Sequence, residues 1–306
     1  MLMDYSIEHG VPISAVEFTN EPNMMAMSGL PEGYTAEDHA RDHDIFGAWL
    51  RENYPECLFV GPCTVGDINL FNIGMDQAGG GIASALQMVT TEELLGDQKV
   101  KMDVFSYHYY NGVSERGAAM GGHWPESACL TEQYLATAAS CARQYIDRRN
   151  RYVPGGQMWV TESGDAGCGG NTWAPTYLDV PRTLNELGEF STVTDGIIFH
   201  NTLASSAYGF LEHGTFEPRP NYFAVLLWNR LMGTSVYDSE IAIQEGAHVF
   251  CHSRKDGKEG YVYLVINNSL TDKTTVNLPK EALRYSFDGN GNMRSTTMYL
   301  NGKALT

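Results

Sequence analysis

Along most of the chain, short apolar runs alternate with longer stretches whose apolar residues recur every three to four positions. Residues 14–19 (SAVEFT), 57–62 (CLFVGP), 103–110 (DVFSYHYY), 157–161 (QMWVT) and 195–200 (DGIIFH) read as five buried strands. The spacing predicts helices over 36–50, around 82–95, and over 131–151, 175–190 and 221–232; in the first, Ala36, Ala40, Ile45, Phe46, Trp49 and Leu50 form the apolar stripe. Strand and helix in strict alternation make a parallel sheet with crossover helices. Beyond residue 234 the period shortens. Residues 247–252 (AHVFCH), 260–266 (GYVYLVI) and 273–278 (KTTVNL) are β-rich runs split by turns such as Lys255-Asp256-Gly257, which reads as a small antiparallel β domain.

The expected fold class is therefore α/β: a partial (β/α)8 TIM barrel over 1–236, followed by part of a small antiparallel β-sandwich over 237–306. Five βα units are too few to close a barrel. Two readings fit: the first three βα units precede residue 1 in the natural product, or the chain is an open α/β fold.

Polar side chains stand at the ends of the strands, where barrels of this kind carry their chemistry. Glu21 follows the first strand and Glu162 caps the fourth. Glycoside hydrolysis needs a proton donor to the leaving oxygen and a second carboxylate on the opposite face of the sugar. Eight tilted strands about 4.8 Å apart close at a diameter of roughly 15 Å, so three steps span a chord of roughly 14 Å. Two glutamates each reaching inward by about 4 Å leave a gap near 5–6 Å, in the range that retention through a covalent glycosyl-enzyme requires. Asn20 offers an amide for a sugar hydroxyl, and Pro22 helps to hold Glu21 at the strand mouth. On the third strand Val104, Ser106, His108 and Tyr110 share one face, and Phe105, Tyr107 and Tyr109 the other. If the second face packs on helices, His108 and Tyr110 point inward, with Tyr110 placed to donate to Glu162 and keep it ionised.

Composition narrows the partners. The 306 residues are 43% hydrophobic, enough for one large domain and a small one. Lys and Arg number 20 against 37 Asp and Glu, a net charge of −17, which disfavours nucleic acid and highly sulfated polymers as partners. No apolar run of about eighteen residues exists to span a membrane, and the first residues lack a secretory signal pattern. The six cysteines form no zinc motif; Cys57 with Cys63 and Cys129 with Cys141 are either disulfides or, more in keeping with the chain's size, scattered core thiols.

Five segments, in order, resemble the heparanase and β-glucuronidase family, glycoside hydrolase family 79 of the retaining clan A. They are residues 17–23 (EFTNEPN), 103–112 (DVFSYHYYNG), 158–163 (MWVTES) with Cys168-Gly169-Gly170 behind it, Asn201 through Tyr208-Gly209, and 216–222 (FEPRPNY) running into 231–236 (LMGTSV). The resemblance implies Glu21 as acid/base on the fourth barrel strand, Glu162 as nucleophile on the seventh, a C-terminal β-sandwich cut short, and no metal or other cofactor. It implies a carbohydrate substrate, glucuronide or related β-glycoside, and an extracellular or periplasmic setting; the residues themselves leave the compartment open. The family grips the uronate carboxylate partly with a tyrosine and glycines in the loop after the nucleophile. Here that loop has the glycines and no tyrosine, so the amides of Gly169 and Gly170, together with Asn201 and Tyr208, are the expected contacts. A neutral β-glucoside, β-galactoside or β-xyloside as substrate, and a non-catalytic carbohydrate-binding fragment, are the competing readings.

Overall fold

The structure is a computed structural model that describes residues 2–66, 88–278 and 280–306. The chain divides into two compact units, one of Met1–Tyr109, Arg143–Ser163 and Thr194–Phe199, the other of Tyr110–Ala142, Gly164–Val193 and His200–Thr306.

The first unit is built on a sheet whose strands run in sequence order: β1 (Ala15–Glu17), β2 (Leu58–Val65), β3 (Val104–Tyr110), β4 (Gln157–Gly164) and β5 (Ile198–His200). β1 pairs parallel with β2, and β2 parallel with β3. The sheet is strongly curved. Thr161 on β4 donates its hydroxyl to Glu17 on β1 across 2.8 Å, whereas three strand spacings in a flat sheet would put those backbones about 14 Å apart. Sequential parallel strands with this curvature make half of a barrel wall.

The two faces of β3 divide as the alternation predicts. Phe105 and Tyr107 turn to the helix side, where the Tyr107 ring stacks on Tyr145 at 4.2 Å, within the helix Glu132–Tyr152. β2 and β3 are almost wholly buried, and they enclose the polar Thr64, Ser106 and His108 among their apolar residues.

A short helix, α1 (Leu2–Glu8), precedes the sheet, and α2 (Ala36–Asn53) connects β1 to β2. Thr35 and Asp38 close a reciprocal cap at the start of α2. Its buried face keeps Ala40 and Leu50 of the expected stripe but is completed by His39, His43 and Gly47, while Ile45 and Trp49 are 64% and 43% exposed. The reason is close packing on β2, since a Cβ at Gly47 would stand 2.5 Å from the Phe59 ring. Burial lowers the pKa of both histidines to about 4, so they sit in this apolar layer as neutral rings. Of the helix expected around 82–95, residues 82–87 lie outside the described residues, and Thr91–Leu95 forms α3. The helix Glu132–Tyr152 is α4.

In the second unit, α5 (Val180–Ser191) and α6 (Pro220–Leu231) flank a three-stranded antiparallel sheet of β6 (Met232–Tyr237), β7 (Ala247–Arg254) and β8 (Tyr261–Asn267). Phe250 of β7 packs directly on α5, where a Cβ at Gly188 would meet its ring at 2.4 Å. Two elements differ from expectation. Met232 begins β6 rather than ending the helix before it. Residues 273–278 form no strand, for they pair with no neighbour and periodicity alone cannot supply one. Three short strands, β9 (Phe287–Asp288), β10 (Tyr299–Leu300) and β11 (Lys303–Ala304), make a further small sheet.

A buried ionic group organises the start of α5. Arg182 binds Asp179 and Glu186, and Asn221 donates to Asp179. The nearby Asp165 is 1% exposed; burial first, and the Asp179 charge second, push its carboxyl up to about 7. All six cysteines are free thiols. Cys57 and Cys63 lie along one extended segment, where six residues span about 20 Å, far beyond the reach of a disulfide.

Candidate active site

Glu21 leaves β1 in the left-handed region at φ 45°, a conformation that is uncommon for a residue with a side chain and needs support. Asn23 supplies it. Fully buried, it donates its side-chain amide to the Val65 carbonyl at 2.7 Å and accepts from the Val65 amide at 3.0 Å, copying a strand pairing onto the end of β2. The Glu21 carbonyl accepts from the Met24 amide at 3.0 Å and from the Ser28 hydroxyl. The turn is thus closed on both sides, and the carboxylate has a fixed base.

That carboxylate meets His108. Nδ1 of His108 lies 2.8 Å from Glu21 Oε1 and 3.6 Å from Glu162 Oε2. A ring nitrogen of His108 and one carboxylate oxygen from each glutamate all lie within 4.8 Å of one another, so the carboxylates on β4 and after β1 converge on one buried imidazole. Their side chains are 19% and 30% exposed, against 1% for the histidine: the ring is covered and the carboxylates reach solvent.

Behind the ring stand residues that the sequence did not single out. Cys63 is the extra residue where the β2–β3 register shifts between Pro62 and Thr64; it adopts φ 61°, and its amide donates to Ser106 Oγ at 3.1 Å. The bulge aims the Cys63 sulfur at His108 Nε2, 3.0 Å away. Burial, with the Glu17 charge added, raises the thiol well above its ordinary pKa and keeps it protonated. Glu17, Cys63 and His108 also bring one oxygen, sulfur or nitrogen each within 4.8 Å of one another. Position at a strand end was the available signal for Glu17 and Cys63. Only the sheet curvature brings them together.

The other expected residues lie in the second unit, except Asn20, which is exposed in the turn before Glu21. Asn201 Nδ2 donates to the Tyr110 hydroxyl at 2.8 Å and lies 3.4 Å from that of Tyr208, whose ring centre is 6.1 Å from that of Tyr110. His200, held neutral by burial with a pKa of about 4, donates from Nε2 to the Tyr208 carbonyl. Gly170 touches the same tyrosine: at φ 78°, a Cβ there would stand 2.9 Å from the Tyr208 amide. The structure therefore brings Tyr110, Asn201, Tyr208 and Gly170 into one cluster. The anion nest expected from Gly169 and Gly170 is altered, because the Gly170 amide donates to the Ala166 carbonyl at 3.1 Å within its own turn. Sequence reasoning also missed Arg116, whose guanidinium donates to the Gly169 carbonyl at 2.7 Å.

No family model matches the chain. Among curated proteins it is similar to heparanase-like protein 1 of Arabidopsis thaliana, 26% identical over 99% of this chain and 59% of that protein. It is also similar to baicalin-beta-D-glucuronidase of Scutellaria baicalensis, 26% identical over 68% of this chain and 40% of that protein. The chain spans about half the length of the curated relatives it matches. Among solved structures, CelM2, a bifunctional glucanase-xylanase from a metagenome library, matches with a TM-score of 0.57 at 14% identity, covering 84% of this chain and 53% of that one. That likeness concerns the fold.

Proposed function

We propose that this chain, a relative of the heparanase-like and β-glucuronidase proteins, carries the catalytic pair of a retaining β-glycoside hydrolase acting on β-glucuronides. The observation that carries the reading is the convergence of Glu21 and Glu162 on His108 within 4.8 Å. Carboxylates about 5–5.5 Å apart leave no room for a water between acid and sugar, and the second carboxylate then attacks the anomeric carbon itself. In this mechanism Glu162 forms the glycosyl ester while Glu21 protonates the departing oxygen. Glu21 next takes a proton from the water that cleaves the ester. Residues 1–236 form the catalytic region in this reading, and 237–306 a small β domain.

The decisive experiment is incubation of the full-length protein with an activated 2-deoxy-2-fluoro glucuronide, followed by peptide mass mapping. A covalent sugar on Glu162 is expected. Inversion of the anomeric centre, or a label on a different residue, refutes the mechanism.

A neutral sugar is the second reading, favoured by the internal commitment of the Gly170 amide and by the lack of a tyrosine in the 163–171 loop. Parallel turnover of aryl β-glucuronide and aryl β-glucoside separates the two, and a strong preference for the glucoside removes the uronate assignment.

A further inference from the structure

Imidazole is an ambiguous partner for a catalytic carboxylate, because either ring nitrogen can carry the proton. At His108 the ambiguity matters, since Nδ1 faces Glu21 and Glu162 together while Nε2 faces the interior. The groups around the ring are Glu17 from β1, Glu21 after β1, Cys63 from β2 and Glu162 from β4. Once Glu21 has given its proton to the leaving group, only a protonated Nδ1 makes a favourable hydrogen bond with it.

We propose that Cys63 is a positioning residue for the reaction: its S–H donates to His108 Nε2, which places the ring proton on Nδ1 and directs it to Glu21 Oε1. The proposal rests on the glycosidase reading above and adds to it the control of the acid/base residue's orientation.

Three observations bear on it. Cys63 is 1% exposed and His108 2%, so no solvent competes for Nε2. Burial and the Glu17 charge keep the thiol protonated, hence a donor, with the Glu17 carboxylate as its other acceptor within reach beside His108 Nε2. The bulge is the third. A register shift with a side-chain-bearing residue at φ 61° is an unfavourable way to pass through a buried strand, and it is held here by the Ser106 hydroxyl. An unbulged strand would send the side chain at 63 elsewhere, so the irregularity is what aims the sulfur at the ring.

A double-mutant cycle in the full-length protein tests this. Cys63→Ala is expected to lower kcat about fivefold to tenfold, the worth of one hydrogen bond, with KM little changed because the sulfur lies behind the ring. Cys63→Ser, whose hydroxyl can donate in the same place, recovers most of that loss. In a His108→Asn background, where the amide nitrogen replaces Nδ1–H and no Nε2 exists, Cys63→Ala has no further effect. Equal losses in both backgrounds would show a packing role and overturn the proposal, as would no loss in either. Spectra of 15N-histidine-labelled protein report the tautomer whether or not the protein turns over a glycoside, which separates this proposal from the reading it rests on. His108 protonated on Nδ1 alone is expected in the wild type and lost in Cys63→Ala; an Nε2-protonated or doubly protonated wild-type ring overturns the proposal.

Discussion

Glu21 and Glu162, 141 positions apart in the chain, present carboxylate oxygens within 4.8 Å of each other and of one histidine nitrogen. Chain connectivity supplies none of this closeness. It comes from the bending of a parallel sheet whose first and fourth strands touch through Thr161 and Glu17.

The two carboxylates are expected to fail differently when neutralised. On the proposed mechanism Glu162→Gln abolishes turnover of every glycoside, because the attacking carboxylate is lost. Glu21→Gln lowers the rate on alkyl glycosides by about 10²–10⁴-fold, the usual worth of general acid assistance. On a dinitrophenyl glycoside, which leaves without a proton, the glycosylation step is far less affected. Steady-state kinetics with both leaving groups check this; equal losses on the two would remove Glu21 from the acid role.

Asn23 carries the turn beneath Glu21, and its removal leaves the Val65 amide and carbonyl unpaired in the interior. Asn23→Ala is expected to cost about 2–3 kcal/mol of stability and to lower kcat. Denaturant unfolding measures the first, and an unchanged midpoint would show that the turn stands without it.

Asp165 makes stability depend on pH. Its folded pKa of about 7 lies above the ordinary 3.8, so the fold favours the protonated form. The stability linked to that proton is complete below about pH 4 and is lost as pH rises through 7. Asp165→Asn keeps an oxygen for the Asn171 amides and cannot ionise. Its melting temperature is therefore expected to exceed that of wild type by more at pH 8 than at pH 5. A constant difference across that range would show that Asp165 does not titrate there.

Gly170 combines φ 78° with contact on the Tyr208 backbone. Gly170→Ala is expected to cost about 2 kcal/mol or more. Thermal unfolding reads that cost, and a neutral substitution would mean that the turn relaxes freely.

The five-stranded sheet ends in β1 and β5, each with one unpaired edge among the described residues. Ile197 and Phe199, at the β5 side, are 46% and 44% exposed. The 306-residue chain is expected to associate or precipitate, as unpaired edges and exposed apolar side chains do. Gel filtration decides it, and a monomer with a cooperative melt would refute the expectation.

The buried strands were legible in the sequence because β2, β3 and β4 each carry a short apolar run, such as Leu58–Val60, Val104–Phe105 and Met158–Val160, next to polar residues. α1 and the two-residue strands β9 to β11 were not: short, exposed elements owe their form to neighbours rather than to a period. Residues 273–278 show the converse, a β-rich run without a partner. The misplaced stripe of α2 has its own cause, since two neutral histidines and a glycine lie where Ile45 and Trp49 were expected. In the site, Glu21, His108 and Glu162 were visible as strand-end residues. Cys63 was hidden because its role depends on a bulge, and Glu17 because its partner Thr161 lies 144 positions away.

The left-handed backbone at Glu21 limits what this position can become. Glycine, asparagine and aspartate enter that region most easily, whereas branched side chains are repelled by their own Cβ substituents. Substitutions that keep this bend most easily therefore shorten or erase the carboxylate, so the turn can hold its shape while the acid is lost.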